Sequence, residues 1–212
     1  MDVDMGANLG NLPGTTLIGI ITAGLVAYIL GSLPFALWIS RARAGVDLRK
    51  HGSGHAGATN TMRVAGWGAG LSVLVLDVGK GSLAVWLADR ISAWPWVSAL
   101  AGGMVVLGHC WPILAGFRGG MGMASGAGAL LAAWPLGFVL AVGLGSLSQL
   151  LVRHTARGNV LAGLLVAPLW AVFGVADQLW LTAAVVGCVV AFRASSDWSR
   201  VYQELWLDRE QE

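Results

Sequence analysis

Six stretches of this chain are apolar for long enough to cross a bilayer, at roughly 15–40, 69–88, 94–115, 135–152, 158–174 and 178–192. A spanning helix needs about 17–25 such residues, because each backbone N–H and C=O in lipid must be satisfied inside the segment. A seventh stretch, "MASGAGALLAAW" at 123–134, is too short to span alone. It predicts a half-helix, or a span completed by the glycine-rich loop before it, since a broken helix survives only where protein or a cavity covers the break. Charged residues are 11% of the chain and hydrophobic ones 56%, where a soluble domain carries about 25% charge. Charge this scarce cannot coat a surface facing water. The expected fold is therefore an all-α integral membrane protein of about seven transmembrane helices, the fourth short or broken.

Charge placement predicts the orientation. Arg41, Arg43, Arg49, Lys50, Arg63, Arg118, Arg153, Arg157, Arg193, Arg200 and Arg209 fall on one side if the segments alternate, leaving only Lys80 and Arg90 elsewhere. The positive-inside rule then puts the N-terminus outside and the C-terminus in the cytoplasm. This gives one polytopic domain over 1–192 with cytoplasmic glycine-rich loops at 41–66 and 116–126, followed by a cytoplasmic tail at 193–212. Trp198, Val201, Tyr202, Leu205 and Trp206 recur at helical spacing in that tail, as expected of an amphipathic helix on the inner leaflet. A net charge of +2 gives no reason to expect a nucleic-acid partner. Cys110 and Cys188 suggest neither a metal motif nor a disulfide and are expected to be buried apolar thiols.

The chemistry is expected in the two loops. In "GVDLRKHGSGHAGATNTMRVAG", at 45–66, Gly52, Gly54 and Gly57 alternate with Ser53, His55, Thr59 and Asn60, and Arg63 follows. Successive N–H groups freed by glycine form an anion nest, and a guanidinium forks onto two phosphate oxygens. The second loop, "GFRGGMGMASG" at 116–126, repeats the pattern with Arg118, Gly119 and Gly120. Two nests on one face predict substrates bearing phosphate. Inside the second span, Asp77 and Lys80 stand i, i+3, the spacing of a buried ion pair. His109, at a helix–loop junction, is expected to tie the third span to the loop.

These stretches resemble a known family. "GSLPF" at 31–35, the 45–66 loop, "LDVGKG" at 76–81 and "GHCWPILAGFRGGMGMASG" at 108–126 are similar in order and spacing to the bacterial acyl-phosphate:glycerol-3-phosphate acyltransferases (PlsY type). The resemblance implies a seven-span enzyme of the bacterial cytoplasmic (inner) membrane whose active site faces the cytoplasm. It implies transfer of a fatty acyl group from acyl phosphate to the 1-hydroxyl of glycerol 3-phosphate, giving lysophosphatidic acid for phospholipid synthesis. It further implies no cofactor, no metal and no coenzyme A, with acyl phosphate, glycerol 3-phosphate and membrane lipid as the partners. Carried over by position, Ser53 and Arg63 engage substrate phosphates, with His55 beside them as a catalytic candidate. Gly52, Gly54, Gly57, Asn60, Arg118, Gly119 and Gly120 are the expected substrate-binding positions.

The departures are polar. Arg118 replaces a family lysine, Met121 a second lysine, His55 an asparagine, Ala156 a serine, Ala194 a histidine and Asp197 an asparagine. His55, Arg153, His154 and Arg157 are candidate replacements for the lost groups. An alternative follows from these losses: a homologue without efficient turnover that binds phosphate or lipid head groups and regulates a partner. A third reading is an anion transporter built on the same broken helices.

Overall fold

Pro34 has no N–H, and it interrupts the first apolar stretch rather than ending it. In the computed structural model, which describes residues 14–175 and 177–200, α1 covers Gly14–Gly31 and α2 resumes at Phe35–Ala44. Together they supply the first of six helical stretches long and apolar enough to cross a membrane, Thr16–Ala44. The others are α4 (Trp67–Ile91), α5 with the following turn (Val97–Ala115), α7 (Pro135–Val152), α8 (Thr155–Val172) and α9 (Asp177–Ser195). Between α5 and α7 lies α6 (Met123–Ala133), 11 residues long, the short fourth element expected from the sequence. The eight-residue α3 (Ala58–Ala65) belongs to the first loop. No strand occurs among the described residues.

Small residues let the helices approach closely, as expected where lipid supplies no hydrophobic drive for association. At Gly31 on α1 a Cβ would strike the Val105 carbonyl of α5, and at Gly108 on α5 it would strike Tyr28 of α1. Reciprocal crossings join α4 to α6 at Gly81 and Gly128, and α8 to α9 at Gly163 and Gly187. Around these crossings Val85, Val105, Val106, Leu130, Val186 and Trp170 form the core. Large apolar side chains face outward instead, among them Leu25, Val75, Leu151, Leu164, Val172 and Phe192. Cys110 is buried, but Cys188 lies on an outward face of α9, contrary to the expectation for both cysteines. Hydropathy does not distinguish burial in protein from burial in lipid.

The loops that sequence charge assigns to one side meet at one end of the bundle. Arg49 Nη1 donates to the Ala115 carbonyl at 2.9 Å, and the Ala56 amide reaches Gly119 O at 3.4 Å. Arg157 Nε donates to Trp198 O at 3.1 Å, and Arg200 Nη2 to Ser53 O at 3.1 Å. The last helix, α9, carries Arg193 and runs to Ser195, and residues 196–200 fold against the first loop and the start of α8. The expected amphipathic segment lies outside the described residues from 201 onward.

Candidate active site

A cavity of about 490 Å³ opens between the loops and the helices. Its polar end is lined by Ser53, His55, Gly57, Thr59, Asn60 and Arg63 of the first loop, with Asp77, His109, Gln149, Thr155 and Asn159 from the helices. Its body is apolar, formed by Leu74, Val78, Leu130, Phe138, Val142, Val166, Val186 and Val190. A charged head at one end and a hydrocarbon chain at the other would be served by separate surfaces.

Asn60 holds the first loop in shape. Its Oδ1 accepts from the Ser53 amide at 3.0 Å, and its Nδ2 reaches the carbonyls of His51 and His55 at 3.0 Å each. Gly52 has φ +56°, and a side chain there would collide with Asn60 Oδ1, so glycine is required on both counts. Asp47 anchors the start of the loop by accepting from Arg49 Nη2 at 2.6 Å and from the Arg49 amide at 3.1 Å. The Arg49 hydrogen bond holds the Asp47 carboxyl well below the usual carboxylate range.

Part of the loop's backbone is taken up within the protein. The amides of Ser53, Gly54, Ala56 and Gly57 donate to Asn60 Oδ1, His51 O, Gly119 O and His55 O. Ser53, His55 and Arg63 line the cavity beside Gly57, Ala58 and Thr59 at the start of α3. Gly52 and Gly54 shape the loop from outside the cavity lining; Gly57 and Asn60 are within it.

The second loop differs more. Gly119 N–H donates to Cys110 O at 3.1 Å and Gly120 N–H to His109 O at 3.2 Å, so these amides close the loop onto α5. His109 thus ties span to loop through its carbonyl, as expected of the junction, although by backbone rather than by its ring. A Cβ at Gly120 would lie 2.7 Å from Ala56 O and against the His109 ring. Arg118 is exposed and lines a separate crevice with Leu33, Lys80 and Gly119. The structure does not bring Arg118, Gly119 and Gly120 to the main cavity; from this loop Met121, Gly122, Met123, Ala124 and Gly126 line it.

Under the first loop, Lys80 Nζ lies 2.7 Å from Asp77 Oδ1 and donates to Leu33 O at 3.1 Å, where α1 breaks before Pro34. The buried pair thus satisfies a carbonyl that the helix break releases. His109 Nδ1 stands 3.6 Å from the same Asp77 oxygen.

Comparison with known proteins accords with this arrangement. The family model for glycerol-3-phosphate acyltransferase matches residues 21–204. The chain belongs to this family. A glycerol-3-phosphate acyltransferase of Salinibacter ruber is 51% identical over 89 residues, 40% of this chain and 39% of that protein. One from Deinococcus radiodurans, glycerol-3-phosphate acyltransferase 1, is 46% identical over 89 residues, 42% of this chain and 44% of the relative. The matched segment therefore spans less than half the length of either relative. Over the whole fold, a crystal structure of PlsY, an integral membrane glycerol 3-phosphate acyltransferase in its glycerol 3-phosphate form, superposes with TM-score 0.74 at 31% identity, covering 88% of this chain and 92% of that one. The lysophosphatidic acid form superposes with TM-score 0.73 at 27% identity, covering 85% and 90%.

Against this family background, the departures separate by position. Arg153 is exposed at a left-handed backbone position (φ 51°) and His154 accepts from the Arg157 amide to begin α8. Arg157 stacks over Trp198 with its guanidinium carbon 5.4 Å from the ring centroid. None of these three candidate replacements lines the cavity, whereas His55 does. Residues the sequence reading missed, Gln149, Thr155 and Asn159, face the cavity, with Gln149 Nε2 donating to Asn159 Oδ1 at 2.8 Å. Their signal was present as polar side chains within or at the end of apolar helices.

Proposed function

We propose that this chain transfers a fatty acyl group from acyl phosphate to the 1-hydroxyl of glycerol 3-phosphate, releasing lysophosphatidic acid and inorganic phosphate. The observation that carries this reading is the single cavity whose polar end holds Ser53 and Arg63 and whose apolar body lies among the membrane helices. An acyl phosphate needs both surfaces at once. Arg63 and Ser53 bind the phosphates, the apolar wall holds the acyl chain, and the hydroxyl oxygen attacks the carbonyl as the bond to phosphate breaks. Fixing the two reactants in register removes much of the entropic barrier.

The basic loops meeting at one end support a cytoplasmic placement of this face in the bacterial inner membrane. The N-terminus is then outside and the 193–212 segment cytoplasmic. The regulatory alternative draws on a specific observation: at the cavity the second loop contributes Met121, without charge, while Arg118 points elsewhere. One assay separates the two. Purified protein given palmitoyl phosphate and glycerol 3-phosphate forms lysophosphatidic acid under the first reading. Binding of glycerol 3-phosphate without product would favour the second.

A further inference from the structure

His55 and Asp197 stand 142 residues apart, yet His55 Nε2 lies 2.6 Å from Asp197 Oδ2 with both side chains buried. Asp197 sits just past α9, so this bond pins the last helix to the first loop at the polar end of the cavity. A carboxylate at this distance accepts from Nε2–H and so fixes the tautomer with its lone pair on Nδ1. Arg193 Nη2 lies 3.3 Å from Nδ1, a long contact, while its Nη1 makes the shorter bond to Ser196 Oγ at 2.7 Å.

Burial holds the His55 imidazole below its ordinary range, and Arg193 and Arg200 act in the same direction while Asp197 opposes them. Among the described residues, the other charged or titratable groups lining the cavity are Arg63 on α3, Asp77 on α4 and His109 on α5. His55 is therefore neutral at neutral pH, as a base must be.

We propose that His55 Nδ1 is the general base that takes the hydroxyl proton of the acyl acceptor, with Asp197 as its positioning residue. The inference rests on the acyltransferase reading above. As the substrate phosphate draws the Arg193 guanidinium, the hydroxyl replaces it at Nδ1. The O–H proton passes to Nδ1 while the oxygen forms its bond to the acyl carbon. The carbon–oxygen bond to phosphate then breaks, and the departing phosphate takes the proton from the imidazolium, regenerating neutral His55. Asp197 steadies the transient cation through Nε2–H.

The test is the pH dependence of turnover in wild type, His55→Gln and Asp197→Asn, assayed with palmitoyl phosphate and glycerol 3-phosphate from about pH 5 to about pH 9, which brackets an imidazole. The wild type should lose kcat as pH falls through a single ionisation below the ordinary imidazole value. His55→Gln should lower kcat by about 10²–10⁴-fold, the usual contribution of a general base, remove the acid limb and leave KM for glycerol 3-phosphate little changed. Asp197→Asn should lower kcat and move the acid limb to lower pH, because the carboxylate that favours imidazolium is gone. If His55→Gln does not fold, the wild-type and Asp197→Asn profiles still decide.

An active wild type with a flat profile overturns the base role alone. So does a His55→Gln variant that keeps both rate and acid limb, or one whose KM rises while kcat holds. A wild type that forms no lysophosphatidic acid overturns the acyltransferase reading and the base role with it.

Discussion

The two glycine-rich loops look alike in composition and fold on different plans. The first is wound around a side chain: Asn60 gathers the Ser53 amide and the His51 and His55 carbonyls, and Ser53, His55 and Arg63 are turned into the cavity. The second is laid down by backbone, with the Gly119 and Gly120 amides bonded to Cys110 and His109 and no charged side chain brought to the main cavity. In the first loop glycine permits a left-handed turn; in the second it permits contact with α5 and with Ala56 too close for any Cβ. Glycine enrichment marks a tight backbone, and only the partners of its N–H groups tell whether that backbone binds an anion or another loop.

This contrast can be broken most severely at Gly120. Gly120→Ala places a methyl 2.7 Å from the Ala56 carbonyl, a backbone atom that cannot swing away. Overpacking of this kind costs about 1–3 kcal/mol or more, so the variant should show a clearly lowered melting midpoint in detergent and the loss of most activity. Asn60→Ala comes next. It strands the Ser53 amide, an unpaired polar group costing about 1–3 kcal/mol, and strips the His51 and His55 carbonyls of one of their two donors, leaving them the Gly54 and Gly57 amides. Activity should fall by about two orders of magnitude while the helices still assemble, as read by circular dichroism and turnover on one sample.

Met121→Lys sharpens the contrast by giving the second loop a cation at the cavity. Turnover should change severalfold, upward if charge is what this loop lacks; an unchanged rate would mean that other cations already serve. The smallest effect is expected at Gly57, where φ is −148° and an added Cβ meets nothing within 4 Å. Gly57→Ala should leave the melting midpoint in detergent unchanged, substitutions that meet no neighbour being usually within about ±0.5 kcal/mol.

The membrane fold was legible because lipid imposes one rule on every span, and window length alone reads it. Even α6 was visible, as a stretch too short to cross. The break of the first span was written as Gly31 and Pro34 but lost in averaged hydropathy, and Cys188 was misplaced for the same reason. The site was legible only where its determinants are local. Ser53, His55 and Arg63 lie on one short loop, so their convergence on a cavity follows from sequence neighbourhood. The Ala56 amide bonds across to Gly119, and the Gly119 and Gly120 amides bond back to Cys110 and His109, contacts that glycine content alone does not reveal. Asp197 read as one more lost family residue, because nothing in a single sequence pairs it with His55.

The central claim is that the first loop, and not the second, holds the substrate anion. Isothermal titration of glycerol 3-phosphate into wild type, Arg63→Ala and Arg118→Ala tests it directly. A hydrogen-bonded charge is worth about 1.5–3 kcal/mol, so Arg63→Ala should weaken binding by about 10–100-fold while Arg118→Ala leaves affinity unchanged. Wild-type affinity in Arg63→Ala together with its loss in Arg118→Ala would contradict the account.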